Sequence, residues 1–262
     1  RKGRTKLSRG ARTRRMQTRA SVPPQVKLVH VIRHGQAEHN VDEAALEKRN
    51  TRLTSEGEQQ AALLKARVAA LKPEVIVTSP ILRALQTTSG FLTDEVAAPV
   101  VVVPDARERV SHKSHLCELP VDPSSARDQS SKIAAYDWSL VESSLALAGG
   151  SVGEWEKCMM MTDLAGMASI GERAARLTSW IESRPEETMV LVSHGAFLMR
   201  LTKDSYMDNC ELRTYHVEGG KWTRKDRVSI TNAVLNAAAS ASDAARGLAS
   251  GVSSWRGVGG GV

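Results

Sequence analysis

Cysteine is scarce: three in 262 residues, at Cys117, Cys158 and Cys210. Three scattered thiols exclude a disulfide scaffold and point to a reducing compartment. Long apolar runs are missing as well. None comes near the roughly 20 residues that a membrane-spanning helix needs, which excludes an integral helical membrane protein. Charge is unevenly spread. Residues 1–27 hold ten Lys/Arg and no Asp or Glu, whereas residues 28–262 hold 26 Lys/Arg against 29 Asp/Glu. The formal net charge of +7 is therefore the property of a tail, and the body is mildly acidic. A basic chain ordinarily raises nucleic acid as a partner. Here that concerns the tail alone, and no aromatic residue interrupts its basic run to stack on a base. No nucleic acid is expected for the domain.

What remains is a chain with 41% hydrophobic residues, enough for one sizeable core. Residues 1–24 are rich in Arg, Ser and Thr, without large apolar clusters, and cannot build a core. They fit either an organelle transit peptide or a solvated basic tail. Localisation is thus expected to be cytoplasmic or organellar. Residues 233–262 are mostly Ala, Ser and Gly and are expected to be a low-complexity flexible tail. The ordered domain is placed at 25–232.

Inside that domain, strand and helix patterns alternate. VKLVHVI (26–32), EVIVTS (74–79), PVVVVP (99–104) and TMVLVS (188–193) are short β-branched runs of the kind found in buried strands. Glu56 to Leu71 carries Ala61, Leu64, Val68 and Leu71 at helical spacing and predicts one helix stopped by Pro73. A second helix is predicted from Pro80 to Leu92, opened by that proline. A third runs from Ile170 to Ser183, and a fourth starts near Ala196. ELRTYHV (211–217) alternates as an edge strand does. Residues 105–150 form a long excursion. The fold class is α/β, a three-layer sandwich with a mostly parallel central sheet and helices on both faces.

Such sheets bind ligands beyond the carboxyl ends of their strands. Arg33-His34-Gly35 and then Asn40 follow the first strand. Ser79 and, a helical turn on, Arg83 follow the second. Asp105, Arg107, Glu108 and Arg109 follow the third, and His194-Gly195 the fourth. Two arginines and a second histidine suit a phosphate dianion, because the guanidinium fork matches phosphoryl oxygens and keeps its charge. A histidine inside that cage can attack phosphorus through a ring nitrogen. A carbonyl at Gly35 would hold the other nitrogen and fix the tautomer. A nearby carboxylic acid can protonate the leaving alkoxide and then activate water. The arginines supply the charge that a metal would otherwise bring.

VHVIRHGQAEHN, with LTSEGEQQA (53–61), SPILRALQTT (79–88) and VLVSHGAFL (190–198), resembles the histidine phosphatase superfamily, the phosphoglycerate-mutase-like fold. RERVSHKSHLCELPVD (107–122), YDWSLVE (136–142) and NCELR (209–213) resemble its plant and fungal phosphatase-like branch. The resemblance implies that His34 is the phosphorylated nucleophile and that Arg33, Arg83 and His194 grip the phosphoryl group. It implies Glu108 as proton donor, with Asp105, Glu118 and Asp122 as competing acids. Asn40 falls at a substrate-contacting position, and a turn or helix cap is an equal reading of it. Neither metal nor nucleotide cofactor is implied.

Where mutases of the family carry an R-H-Y-G segment and a Gly-Trp pair, this chain reads Arg109-Val110-Ser111-His112 and Asn50-Thr51-Arg52. A hydrolase of a small phosphorylated metabolite, or of phosphomonoesters broadly, is the expectation. Its alternatives are a cofactor-dependent phosphoglycerate mutase and a non-catalytic phosphate- or phosphoprotein-binding member. His112, His115 and Cys117 lack a zinc spacing and are read as solvent-facing loop residues. Met159-Met160-Met161 is read as packing, and Cys210 as a buried small residue.

Overall fold

The structure is a computed structural model. It describes residues 26–96, 98–116, 130–151, 153, 155, 157 and 167–228. Both predicted tails, Cys117, Glu118, Asp122, Cys158 and the three consecutive methionines lie outside these residues.

Six strands form one sheet: β1 (Lys27–Arg33), β2 (Val75–Thr78), β3 (Val100–Val102), β4 (Thr188–Ser193), β5 (Leu212–Glu218) and β6 (Lys221–Val228). Their order is β3-β2-β4-β1-β5-β6. The first four are mutually parallel, while β5 runs antiparallel to β1 and β6 antiparallel to β5. Helices cover both faces. On one side lie α2 (Ser55–Leu63), α3 (Lys65–Leu71) and α4 (Leu82–Phe91), following the short α1 (Glu38–Val41). On the other lie α7 (Met167–Ser183) and α8 (Gly195–Thr202). The small helices α5 (Ser130–Ala134) and α6 (Ser139–Leu147) belong to the excursion.

Strand alternation builds this sandwich. Ile32, Ile76, Val190 and Val192 pack with Leu64, Leu85 and Phe91, whereas Val29, Val31, Val77 and Leu191 pack with Leu177, Ile181 and Phe197. Burying a Val or Ile side chain fully is worth roughly 1.5–3 kcal/mol, and both faces of the central strands are buried. The three-layer expectation therefore holds.

Local differences have physical causes. The predicted helix 56–71 is divided at Leu64, whose N–H bonds the Ala61 carbonyl at 3.1 Å in a tighter turn. It ends at Lys72 in the left-handed region (φ +49°), before Pro73. The helix after β2 starts at Leu82 and not at Pro80. The Ser79 hydroxyl takes the Ile81 N–H, and Ile81 stays extended. Segment 211–217 is not at the edge. β6 lies outside it, joined through Gly219 and Gly220, both with positive φ, as a tight hairpin turn requires. β6 carries Lys221, Arg224, Lys225, Asp226 and Arg227, so hydrophobic patterning hides it, while an edge strand tolerates such charge.

Candidate active site

The parallel register sets the site. Arg33 lies opposite Ser193, and Thr78 opposite Val192. Hence His34, Ser79 and His194 emerge together at the carboxyl edge. The rings of His34 and His194 stand 5.1 Å apart.

His34 is buried and held from two sides. Its Nδ1 lies 2.7 Å from the Gly35 carbonyl, which can only accept, so Nδ1 carries the proton. Nε2 therefore presents a lone pair, and Arg83 Nε–H donates to it at 3.1 Å. Burial, then Arg83 and Arg33, push the His34 pKa well below its ordinary value despite the opposing pull of the Gly35 bond. The ring is neutral, and its lone pair faces Arg83.

Arg83, fully buried on α4, donates through Nη1 to the Ser114 carbonyl at 2.8 Å. Burial lowers its pKa to about 10, against the opposing field of Glu108, so it stays charged. Arg33 donates to the Met207 carbonyl at 2.9 Å and lies 4.8 Å from the centre of the Tyr206 ring. His194 Nε2 meets Ser79 Oγ at 2.7 Å. After these bonds, Arg33 Nε, Arg83 Nη2 and His194 Nδ1 are buried without a protein partner. Leaving a buried donor unpaired costs roughly 1–3 kcal/mol, and all three atoms belong to residues that act on or stand beside the His34 ring.

Glu108 lies at the amino end of α8. Its carboxylate accepts N–H from Arg109 (2.8 Å), Phe197 (3.0 Å) and Ala196 (3.3 Å). The stretch bearing it is gripped from α7. Arg173 donates to the carbonyls of Arg107 and Asp105 and stacks 4.5 Å over Phe197. Asp105, one of the three competing acids, is committed to Arg176 by two bonds of 3.0 and 3.1 Å.

Asn40 is a helix-entry residue here. Its Oδ1 accepts the Ala37 N–H at 2.9 Å, which orients the amide so that Nδ2 donates to His39 Nε2 at 3.2 Å. His39 must then be neutral, with Nδ1–H donated to Thr51 Oγ1 at 2.9 Å. Its ring stands 5.7 Å from that of His34. His115 packs edge-on to His39 at 6.1 Å and is half-buried, which corrects its reading as a solvent-facing residue. Burial takes His39 and His115 each to about 3. His112 is exposed, as expected. Cys210 is buried, its thiol pushed up to about 12, and its backbone N–H holds the Arg33 carbonyl. Among the described residues no group of three His, Cys, Asp or Glu side chains could hold a metal ion.

The sequence reading missed His39, Asn50, Arg173 and Tyr206. Asn50, at positive φ, supplies the side-chain oxygen that accepts the Leu82 N–H opening α4. Its signal was available: asparagine tolerates the left-handed region and caps helices. Arg173 and Tyr206 carried no local sign, because their roles come from tertiary packing.

A neutral imidazole beside two guanidinium groups at the carboxyl edge of a parallel sheet is suited to receive a phosphoryl group. Residues 29–113, the segment that bears Arg33, His34, Arg83 and Glu108, match the model of the histidine phosphatase superfamily (branch 1). An Arabidopsis thaliana phosphoglycerate mutase-like protein 1 is 25% identical over 235 residues, covering 72% of this chain and 80% of its own. A glucosyl-3-phosphoglycerate phosphatase from Mycolicibacterium vanbaalenii is 28% identical over 180 residues, covering 68% and 73%. Among solved structures, a mycobacterial glucosyl-3-phosphoglycerate phosphatase complexed with VO3 superposes with a TM-score of 0.50 at 17% identity, over 78% of this chain and all of its own. That likeness concerns the fold.

Proposed function

We propose that this chain is a phosphatase that hydrolyses a small phosphomonoester in two steps through phospho-His34. The observation that carries the reading is the set of buried unpaired donors, Arg33 Nε, Arg83 Nη2 and His194 Nδ1, together with the lone pair of His34 Nε2, which Arg83 Nε–H holds at 3.1 Å and must yield to phosphorus. Donors so placed stabilise the charge that grows on equatorial oxygens during transfer. His34 Nε2 forms the N–P bond as the bond to the alcohol oxygen breaks. Glu108 gives that oxygen a proton. Water, deprotonated by the resulting carboxylate, then attacks the phosphohistidine, and orthophosphate leaves. The two guanidinium groups provide the positive charge these steps require, so none is routed through a metal.

Hydrolysis is favoured over mutase chemistry because Asn50 and Thr51, where mutases have Gly-Trp, are committed to α4 and to His39. The kinship to a protein named for a phosphatase activity agrees with it. The substrate class is a small phosphorylated metabolite. The test is His34→Ala assayed by phosphate release from p-nitrophenyl phosphate. Loss of turnover in a chain that still folds, as circular dichroism reports, is expected, and retained turnover would remove the nucleophile. Incubation with 3-phosphoglycerate and a trace of 2,3-bisphosphoglycerate should release phosphate, and isomer interconversion without it would favour the mutase.

A further inference from the structure

His34 and His194 stand side by side, yet their outer nitrogens have opposite partners. His34 Nδ1 faces a carbonyl, a pure acceptor, which leaves its Nε2 as a lone pair. His194 Nε2 faces a hydroxyl, Ser79 Oγ, which can both donate and accept. What settles the hydroxyl's direction is a third group. The Ile81 N–H donates to Ser79 Oγ at 3.2 Å. The serine proton remains to be placed. Ser79 and His194 are both fully buried, and among the described residues no other acceptor bonds this hydroxyl. An unmade bond there would carry a full desolvation cost. The proton therefore goes to His194 Nε2. Burial and the field of Arg83 keep that ring neutral. Its single hydrogen must then sit on Nδ1, the buried atom without a partner.

We propose that Ser79 is a positioning residue that fixes His194 as its Nδ1–H tautomer, so that the ring offers a phosphoryl oxygen a donor. The reverse tautomer would turn a lone pair toward the same anionic oxygen and repel it. Two adjacent histidines thereby acquire opposite duties from their partners: a carbonyl makes one a nucleophile, and a hydroxyl makes the other an anion grip. The inference rests on the phosphatase reading for its consequence in catalysis, but the tautomer itself does not depend on any substrate.

The direct test is the pair of ¹⁵N shifts of the His194 ring in the full chain at neutral pH. Nδ1 is expected to be protonated and Nε2 not. The opposite pattern overturns the proposal whatever the enzyme's activity. The kinetic test is a double-mutant cycle of Ser79→Ala and His194→Ala on p-nitrophenyl phosphate, with vanadate inhibition measured alongside. Ser79→Ala is expected to lower kcat/KM roughly tenfold or more and to weaken vanadate in parallel, the scale of a hydrogen bond to a charged group. In the His194→Ala background it should cost less than twofold. An equal loss in both backgrounds would show that the hydroxyl acts through the Ile81 N–H and α4, and no loss in either would show that it is idle. Failure of His34→Ala to abolish turnover would sink the phosphatase reading and leave the ¹⁵N result standing.

Discussion

Glu108 shows how one residue's surroundings narrow its chemistry. Three backbone N–H groups, from Arg109, Ala196 and Phe197, fix its carboxyl orientation. Asp105 is tied to Arg176 instead. In the proposed mechanism Glu108 is the proton donor, and Glu108→Gln keeps the shape while removing the proton. It should slow hydrolysis of an alkyl phosphate such as glycerol phosphate by roughly 100-fold. Nitrophenyl phosphate should suffer much less, because its leaving group needs no proton. Comparing the two substrates measures this, and equal losses would move the acid role elsewhere. Asp105→Asn should leave both rates near those of the parent.

At the level of elements, close backbone approach between the first loop and α2 holds His34 in place. A Cβ at Gly57 would collide with the Gln36 backbone, and one at Gly35 would lie 2.7 Å from the Gly57 carbonyl oxygen. Thr54, which caps α2 through the Gly57 N–H at 3.1 Å, also bonds the Gln36 side chain at 2.8 Å. Gly57→Ala should therefore cost about 1–3 kcal/mol, as overpacking does, and should depress activity by shifting the loop that carries the Gly35 carbonyl. Urea titration and phosphate release together check both effects. The four parallel strands were legible because burial on both faces writes β-branched runs into the chain. His34, Arg83 and His194 were legible because strand ends are where such sheets place ligands. β6 was hidden by its charge. The break at Leu64 was hidden because its dihedrals (φ −75°, ψ −16°) remain helical. His39 and Thr51 needed tertiary placement before their pairing could be seen.

Taken as a whole, the molecule buries neutral histidines in number. Burial takes His30 to about 4, and His39 and His115 to about 3, while His34 and His194 lie well below the ordinary value. Each has a folded pKa depressed below the unfolded value of about 6.5. Unfolding therefore takes up protons in acid, and the stability these groups contribute is present above about pH 6.5 and lost as pH falls through the folded pKa values. Denaturant titrations between pH 7 and pH 5 should show stability falling with a slope of more than about two protons near pH 5. A slope near zero would mean that these rings are solvated or charged in the folded state.

The pairing of Arg33 with Ser193 has one more consequence. Each is followed by a histidine, and side chains along a strand change sides at every residue. One residue added inside 27–33 or 188–193 would swing an imidazole to the far side of the sheet, whereas the same addition in a surface bend would leave both in place. The two strands thus act as a ruler for the chemistry at their tips, and variants that gain length should survive only where the ruler is untouched.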